Sequence, residues 1–188
     1  MENRTVIITA LEQELNINQC PRGYQVVYSG VGKINAALAT LKAIQTYKPE
    51  QIINFGTVGK INSDLTGLIE VLKVVQHDMM TEPLAPRGKT PFCEKPSVYL
   101  SNFGQYTCGT GDRFVTSYDQ WFIESKIDVV DMELYAIASV AHAYQIPWRS
   151  YKYITDDANE NSGSDWSNKV HTGQELFLEK LRNLNPHE

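Results

Sequence analysis

Cysteine is scarce and does not pair by spacing: Cys20, Cys93 and Cys108 are the whole set. An odd count without a C-x-x-C step excludes a secreted disulfide framework and a structural zinc knuckle. Three free thiols fit a reducing compartment, so a cytoplasmic location is expected. Histidine is scarce too. His77, His142, His171 and His187 include no two at metal-ligand spacing, so no metal and no cofactor are expected. His77 is read as a structural or interface residue, and His142 as a core or surface one. A basic excess is missing: 17 Lys and Arg against 22 Asp and Glu leave a net charge of −5. That balance argues against a nucleic-acid partner. No apolar run approaches the ~18 residues of a membrane helix, so no membrane partner is expected. The first apolar run, Thr5 to Leu11, is closed by Glu12 and Glu14 and reads as a buried strand, not a signal peptide.

What is present is an alternation of short apolar runs and helical patterns. The 188 residues suit one domain, 1–188, long enough to bury a core without disulfides. Val6 to Leu11, Tyr24 to Tyr28, Gln51 to Phe55, Leu68 to Val75, Tyr106 to Val115, Ile127 to Val130 and Trp148 to Ile154 read as strands. Val6 to Leu11 is a continuous apolar run, as expected for a strand covered on both faces, and Leu68 to Val75 is again apolar and β-branched. Ile34 to Tyr47, Trp121 to Lys126, Met132 to Tyr144 and Asp165 to Leu184 read as helices, the last with Ser164 as a candidate cap. Gly56-Thr57-Val58-Gly59 reads as a turn. The alternation predicts an α/β layered domain. Between Met80 and Pro96 the chain carries four prolines and reads as a long surface loop.

In such folds ligands collect beyond the carboxyl ends of the strands. The chemistry-bearing residues stand there: Glu14, Gly56 to Gly59, Phe114, Glu133 and Asp156. Gly30-Val31-Gly32-Lys33 precedes a helix, where backbone N–H groups admit an anion. It is not a P-loop, because Val27 holds the first glycine position and Ile34 the Ser/Thr position. Trp121, Trp148 and Trp166 are read as packing residues.

Seven stretches, taken in order, resemble the nucleoside phosphorylase and hydrolase superfamily, and within it the 5′-methylthioadenosine/S-adenosylhomocysteine nucleosidases. They are Ala10 to Glu14, Ser29 to Ala37, Asn54 to Gly59, His77-Asp78, Thr110 to Val115, Val130 to Glu133 and Ile154 to Ala158. The resemblance implies a three-layer αβα sandwich with a central mixed, twisted sheet. It implies hydrolysis of a purine nucleoside to free base and a ribose derivative. Asp156 stands at the family's general-acid position and Glu14 at that of the water-activating base. Met132 and Glu133 stand where the ribose is held, and Phe114 and Val115 where the base is stacked and read. Thr57 stands near water and ribose. Ala10, Asp131 and Lys152 complete the expected substrate-binding set. A homodimer in which one subunit closes the other's pocket is implied as well.

The chain departs from that pattern. It is short for the subfamily. Lys152 replaces a usual Arg, Asp131 a usual Glu and Asn159 a usual Asp, and the proline-rich loop is expected near the 5′ end of the ligand or at a subunit interface. Two other readings stand beside hydrolysis. One is a phosphorylase, which needs a phosphate site at the glycine turns. The other is a nucleoside-binding protein without turnover.

Overall fold

The computed structural model describes residues 4–117 and 119–184; His187 lies outside them. The strands are β1 (Thr5–Thr9), β2 (Tyr24–Tyr28), β3 (Gln51–Lys60), β4 (Leu68–Gln76), β5 (Val98–Leu100), β6 (Tyr106–Thr110), β7 (Val129–Asp131) and β8 (Trp148–Asp156). The α-helices are α1 (Lys33–Tyr47), α2 (Gln120–Glu124), α3 (Leu134–Ala143), α4 (Ser162–Lys169) and α5 (Gln174–Leu184).

The result is a mixed α/β fold around one mixed sheet. β2, β1 and β3 pair in parallel, and β8 lies parallel to β3. β8 then runs antiparallel to β4, β4 parallel to β6, β6 parallel to β7, and β7 antiparallel to the end of β3. These pairings return to β3, so that β3, β8, β4, β6 and β7 close on one another. β5 is added to β4.

Strand periodicity sends alternate side chains to opposite faces, and two apolar clusters follow. Val6, Ile8 and Ile52 join Ala36 and Ile44 of α1 and Leu134, Ile137 and Ala141 of α3. Ile7, Ile53, Phe55 and Tyr151 join Phe177, Leu178 and Leu181 of α5. Phe177 stacks on Phe55 with ring centres 4.2 Å apart. Truncating so buried an aromatic ring typically costs ~3–5 kcal/mol. Buried Ala136, Ala138 and Ala141 let α3 lie close to the sheet. α1 ends as Lys48 turns left-handed, with φ at 47°, before Pro49.

Four expectations change. Gly56 to Gly59 is not a turn; it continues β3, because β8 pairs with it throughout. Tyr106 to Val115 leaves the sheet after Thr110. The tail is two helices, broken at Gly173. A Cβ there would come within 2.4 Å of the Tyr153 ring, so a glycine lets the chain pass. Ser164 lies inside α4 and its hydroxyl donates to the carbonyl of Asn161, so it does not cap the helix.

Candidate active site

β1, β3, β7 and β8 end around one cavity of about 290 Å³, near the low end for small-molecule sites. Ala10, Glu14, Thr57, Phe114, Val115, Asp131, Met132, Glu133 and Asp156 line it, so nine of the ten expected residues meet there. The tenth, Lys152, is buried behind the wall.

Glu14 is held by five donors. Its Oε2 accepts from the Thr9 hydroxyl (3.1 Å) and from the backbone N–H groups of Ala10 (3.0 Å) and Leu11 (3.1 Å). Its Oε1 accepts from Thr57 N (2.9 Å) and the Thr57 hydroxyl (2.8 Å). Gly56 lies beside this carboxylate. A Cβ at that position would lie 3.3 Å from Lys152 Nζ and 3.4 Å from Glu14 Oε1.

Asp156 arrives by a different device. Val58 pairs with Ile154 but Gly59 pairs with Asp156, which leaves Thr155 as an extra residue in β8. Such bulges re-aim side chains and are frequent beside active sites. Asp156 is thereby set against Gly59, where a Cβ would fall 2.6 Å from Oδ1. The Thr155 hydroxyl donates to Asp156 Oδ2 (3.0 Å), and Ala158 N donates to Oδ1 (3.0 Å). Asp157 points elsewhere, to Lys60 at 3.2 Å. Asn159 accepts from Asn161 N with its side chain and makes no bond to Asp156.

Asp131 ends β7 and does not head the following helix as the sequence suggested. Its Oδ2 accepts from Lys152 Nζ (2.7 Å) and Leu134 N (2.9 Å), and its Oδ1 from the Thr110 hydroxyl (2.5 Å). Burial would raise its pKa, but Lys152 and these donors outweigh burial and hold it below the usual carboxylate range. Lys152 is 1% exposed; burial would lower its pKa, and Asp131 with its neighbours raises it instead. Both oxygens of Asp131 are thus engaged by protein donors, and its pairing with Lys152 braces this part of the cavity wall.

Glu133, two residues on, has no cation of its own. Burial and the Asp131 charge push its pKa up to about 8, against the pull of Lys152 and of the Gly32 N–H, which donates to Oε1 at 2.9 Å. The neighbouring Lys33 N donates to Asp112 Oδ1 (2.8 Å), and Lys33 Nζ pairs with Asp78 (2.5 Å). The head of α1 is therefore occupied by the chain's own carboxylates.

The sequence reading missed part of the wall. Trp166, taken for a packing residue, lines the cavity. Its Nε1 donates to Thr57 Oγ1 at 2.9 Å, and its ring meets Phe114 edge-on at 6.4 Å. The available signal was a single large ring in the otherwise polar run Asn159 to Lys169. Val31 and Arg113 also line the cavity. The proline-rich loop contributes no lining residue; Arg87 anchors it to the His77 carbonyl (2.6 Å) and Asp119 (2.7 Å). Among the described residues, no cluster of side chains is suited to a metal ion, and no helix is long and apolar enough to cross a membrane.

Carboxylates that face one cavity at the strand ends of a mixed α/β sheet are an arrangement suited to acid–base chemistry. The profile of the phosphorylase superfamily matches residues 23–184, and the chain belongs to that family. It is 30% identical over 166 residues to a 5′-methylthioadenosine/S-adenosylhomocysteine nucleosidase of Bacillus cereus, covering 74% of this chain and 71% of that one. A Helicobacter pylori MTAN mutant with 5′-methylthioadenosine in its active site superposes with a TM-score of 0.86 at 20% identity, over 100% of both chains. Futalosine hydrolase of the same organism superposes with a TM-score of 0.85 at 20% identity, over 95% of both. At those identities the two structures speak for the fold.

Proposed function

We propose that the chain is a purine nucleosidase of the 5′-methylthioadenosine/S-adenosylhomocysteine type, which hydrolyses the N-glycosidic bond. The observation that carries hydrolysis over phosphorolysis is the head of α1. The two backbone N–H groups that would cradle a phosphate, of Gly32 and Lys33, already donate to Glu133 and Asp112. A phosphate there would lose those donors and face the Asp112 charge.

In this reading Asp156 gives a proton to N7 of the base, so that the base leaves neutral. Glu14 takes a proton from the attacking water, which bonds to C1′ as the C–N bond breaks. Groups so placed contribute roughly 10²–10⁴-fold each. Glu133 and Met132 hold the ribose, Phe114 stacks on the base, and Val115 reads its edge. Asp131 and Lys152 keep that wall in place.

Three further points belong to the same proposal. One domain forms three layers, since α1 and α3 cover one side of the sheet and α5 the other. The chain pairs with a second copy, supported by the apolar side chains left exposed on α1 (Ile34 at 74%, Leu38 at 63%) and at Phe92 (96%). It works in the cytoplasm, in keeping with its free thiols. A panel of purine nucleosides assayed for free base, with and without phosphate, tests the function. Release independent of phosphate is expected; release that requires phosphate would make the chain a phosphorylase. Bound nucleoside with no release would make it a binding protein.

A further inference from the structure

Five donors converge on Glu14, and one of them is steered by a residue outside the set expected from the sequence. An indole N–H donates and cannot accept. Trp166 Nε1 lies 2.9 Å from Thr57 Oγ1, so that oxygen is the acceptor. A threonine hydroxyl has one proton, and the other partner within reach is Glu14 Oε1 at 2.8 Å. The direction of the chain is therefore set by chemistry: Trp166 to Thr57 to Glu14.

We propose that Trp166 is a positioning residue for the reaction, acting through the Thr57 hydroxyl on the water-activating carboxylate. The inference rests on the hydrolytic reading of the cavity. A hydroxyl free to rotate spends part of its time turned from Glu14. With the indole N–H occupying one lone pair of Thr57 Oγ1, the hydroxyl proton stays directed at Glu14 Oε1, which accepts it as a hydrogen bond. Trp166 stands on α4, far along the chain from β1 and β3. The base is thus complete only when the segment after β8 has docked. Because the Trp166 ring also meets Phe114, the residue that orders the base touches the residue placed to stack on the purine.

The test separates the N–H from the ring. Trp166→Phe keeps an aromatic wall and removes the donor. Its kcat should fall about five- to tenfold, the loss associated with one hydrogen bond between neutral groups, with KM within about twofold of wild type. Thr57→Val, which removes the relay itself, should lower kcat at least as far with KM likewise held. Trp166→Phe in the Thr57→Val background should then add nothing, since both act on one bond. A Trp166→Phe enzyme equal to wild type in kcat overturns the proposal. So does an equal further loss in the Thr57→Val background, which would make Trp166 a wall and nothing more. Wild-type protein that releases no base overturns the hydrolytic reading instead, and the two failures are told apart by that control.

Discussion

Two regions a few ångströms apart treat carboxylates in opposite ways. In one, Asp131 pairs with Lys152 at 2.7 Å, and Leu134 N, the Thr110 hydroxyl and the Cys108 thiol take up its other acceptor positions. In the other, Glu133, Glu14 and Asp156 face the cavity, and their partners are N–H and hydroxyl groups without a cation in direct contact. Burial is similar in both regions: Asp131 is 6% exposed and Glu133 9%. What differs is the counter-charge. A cation in contact holds Asp131 ionised, while Glu133 feels the same Lys152 at second hand and the Asp131 charge more strongly. Position along the chain therefore does not fix a carboxylate's charge state; the counter-charge beside it does.

The sharpest way to break this contrast is to neutralise the cavity carboxylates one at a time. Asp156→Asn and Glu14→Gln should each lower the rate of base release by about 10²–10⁴-fold with the fold retained, read by activity beside circular dichroism. Near wild-type turnover in either variant removes that residue from the mechanism. The Asp131–Lys152 pair should respond in stability instead. Lys152→Ala leaves Asp131 buried without its cation and should destabilise the protein by about 3–5 kcal/mol in denaturant unfolding. A loss below ~1 kcal/mol would mean that the pair does not brace the wall.

Smaller effects appear as pH dependence. The folded pKa of Glu133, about 8, lies above its ordinary 4.5, so the folded state keeps a proton that the unfolded chain releases. Its contribution is intact below pH 4.5 and is lost as pH rises through 8, at no more than ~1.4 kcal/mol per pH unit. Glu133→Gln should flatten the fall in stability across that window; an unchanged slope would mean that another group sets it. His77 runs the other way. It is wholly buried, neither ring nitrogen has a hydrogen-bond partner, and burial lowers its pKa from 6.5 to about 4. Stability is lost as pH falls from 6.5 toward 4, because only the unfolded chain takes up the proton there. His77→Leu should lessen the drop in Tm over that range, the smallest of these effects.

Much of this was legible before any coordinates. Apolar-rich runs such as Val6 to Leu11 and Gln51 to Phe55 announced buried strands. The carboxylates Glu14, Glu133 and Asp156 could be found because they follow such runs. What stayed hidden depends on pairing between distant segments. The bulge at Thr155 is a property of β3 against β8 and has no mark in either strand alone. The turn expected at Gly56 to Gly59 became strand because the two glycines serve neighbours, not a reversal of the chain. Trp166 looked like packing because its partner Thr57 lies far back along the chain, in β3. The layout of a hydrogen-bond donor toward a remote acceptor has no local periodicity to read.

One strand acquires a further meaning from these contacts. Glu14 is bound to the backbone at Thr57, beside Gly56, and Asp156 sits over Gly59. In the proposed mechanism the two groups that bracket the bond to be cut are thus spaced by the backbone of β3, which advances ~3.3 Å per residue. β3 works as a ruler. Inserting or deleting a single residue between Gly56 and Gly59 would change the gap by one such step and turn the following side chains to the opposite face. The length of this short segment, more than the identity of Val58 within it, is the quantity that the chemistry holds constant.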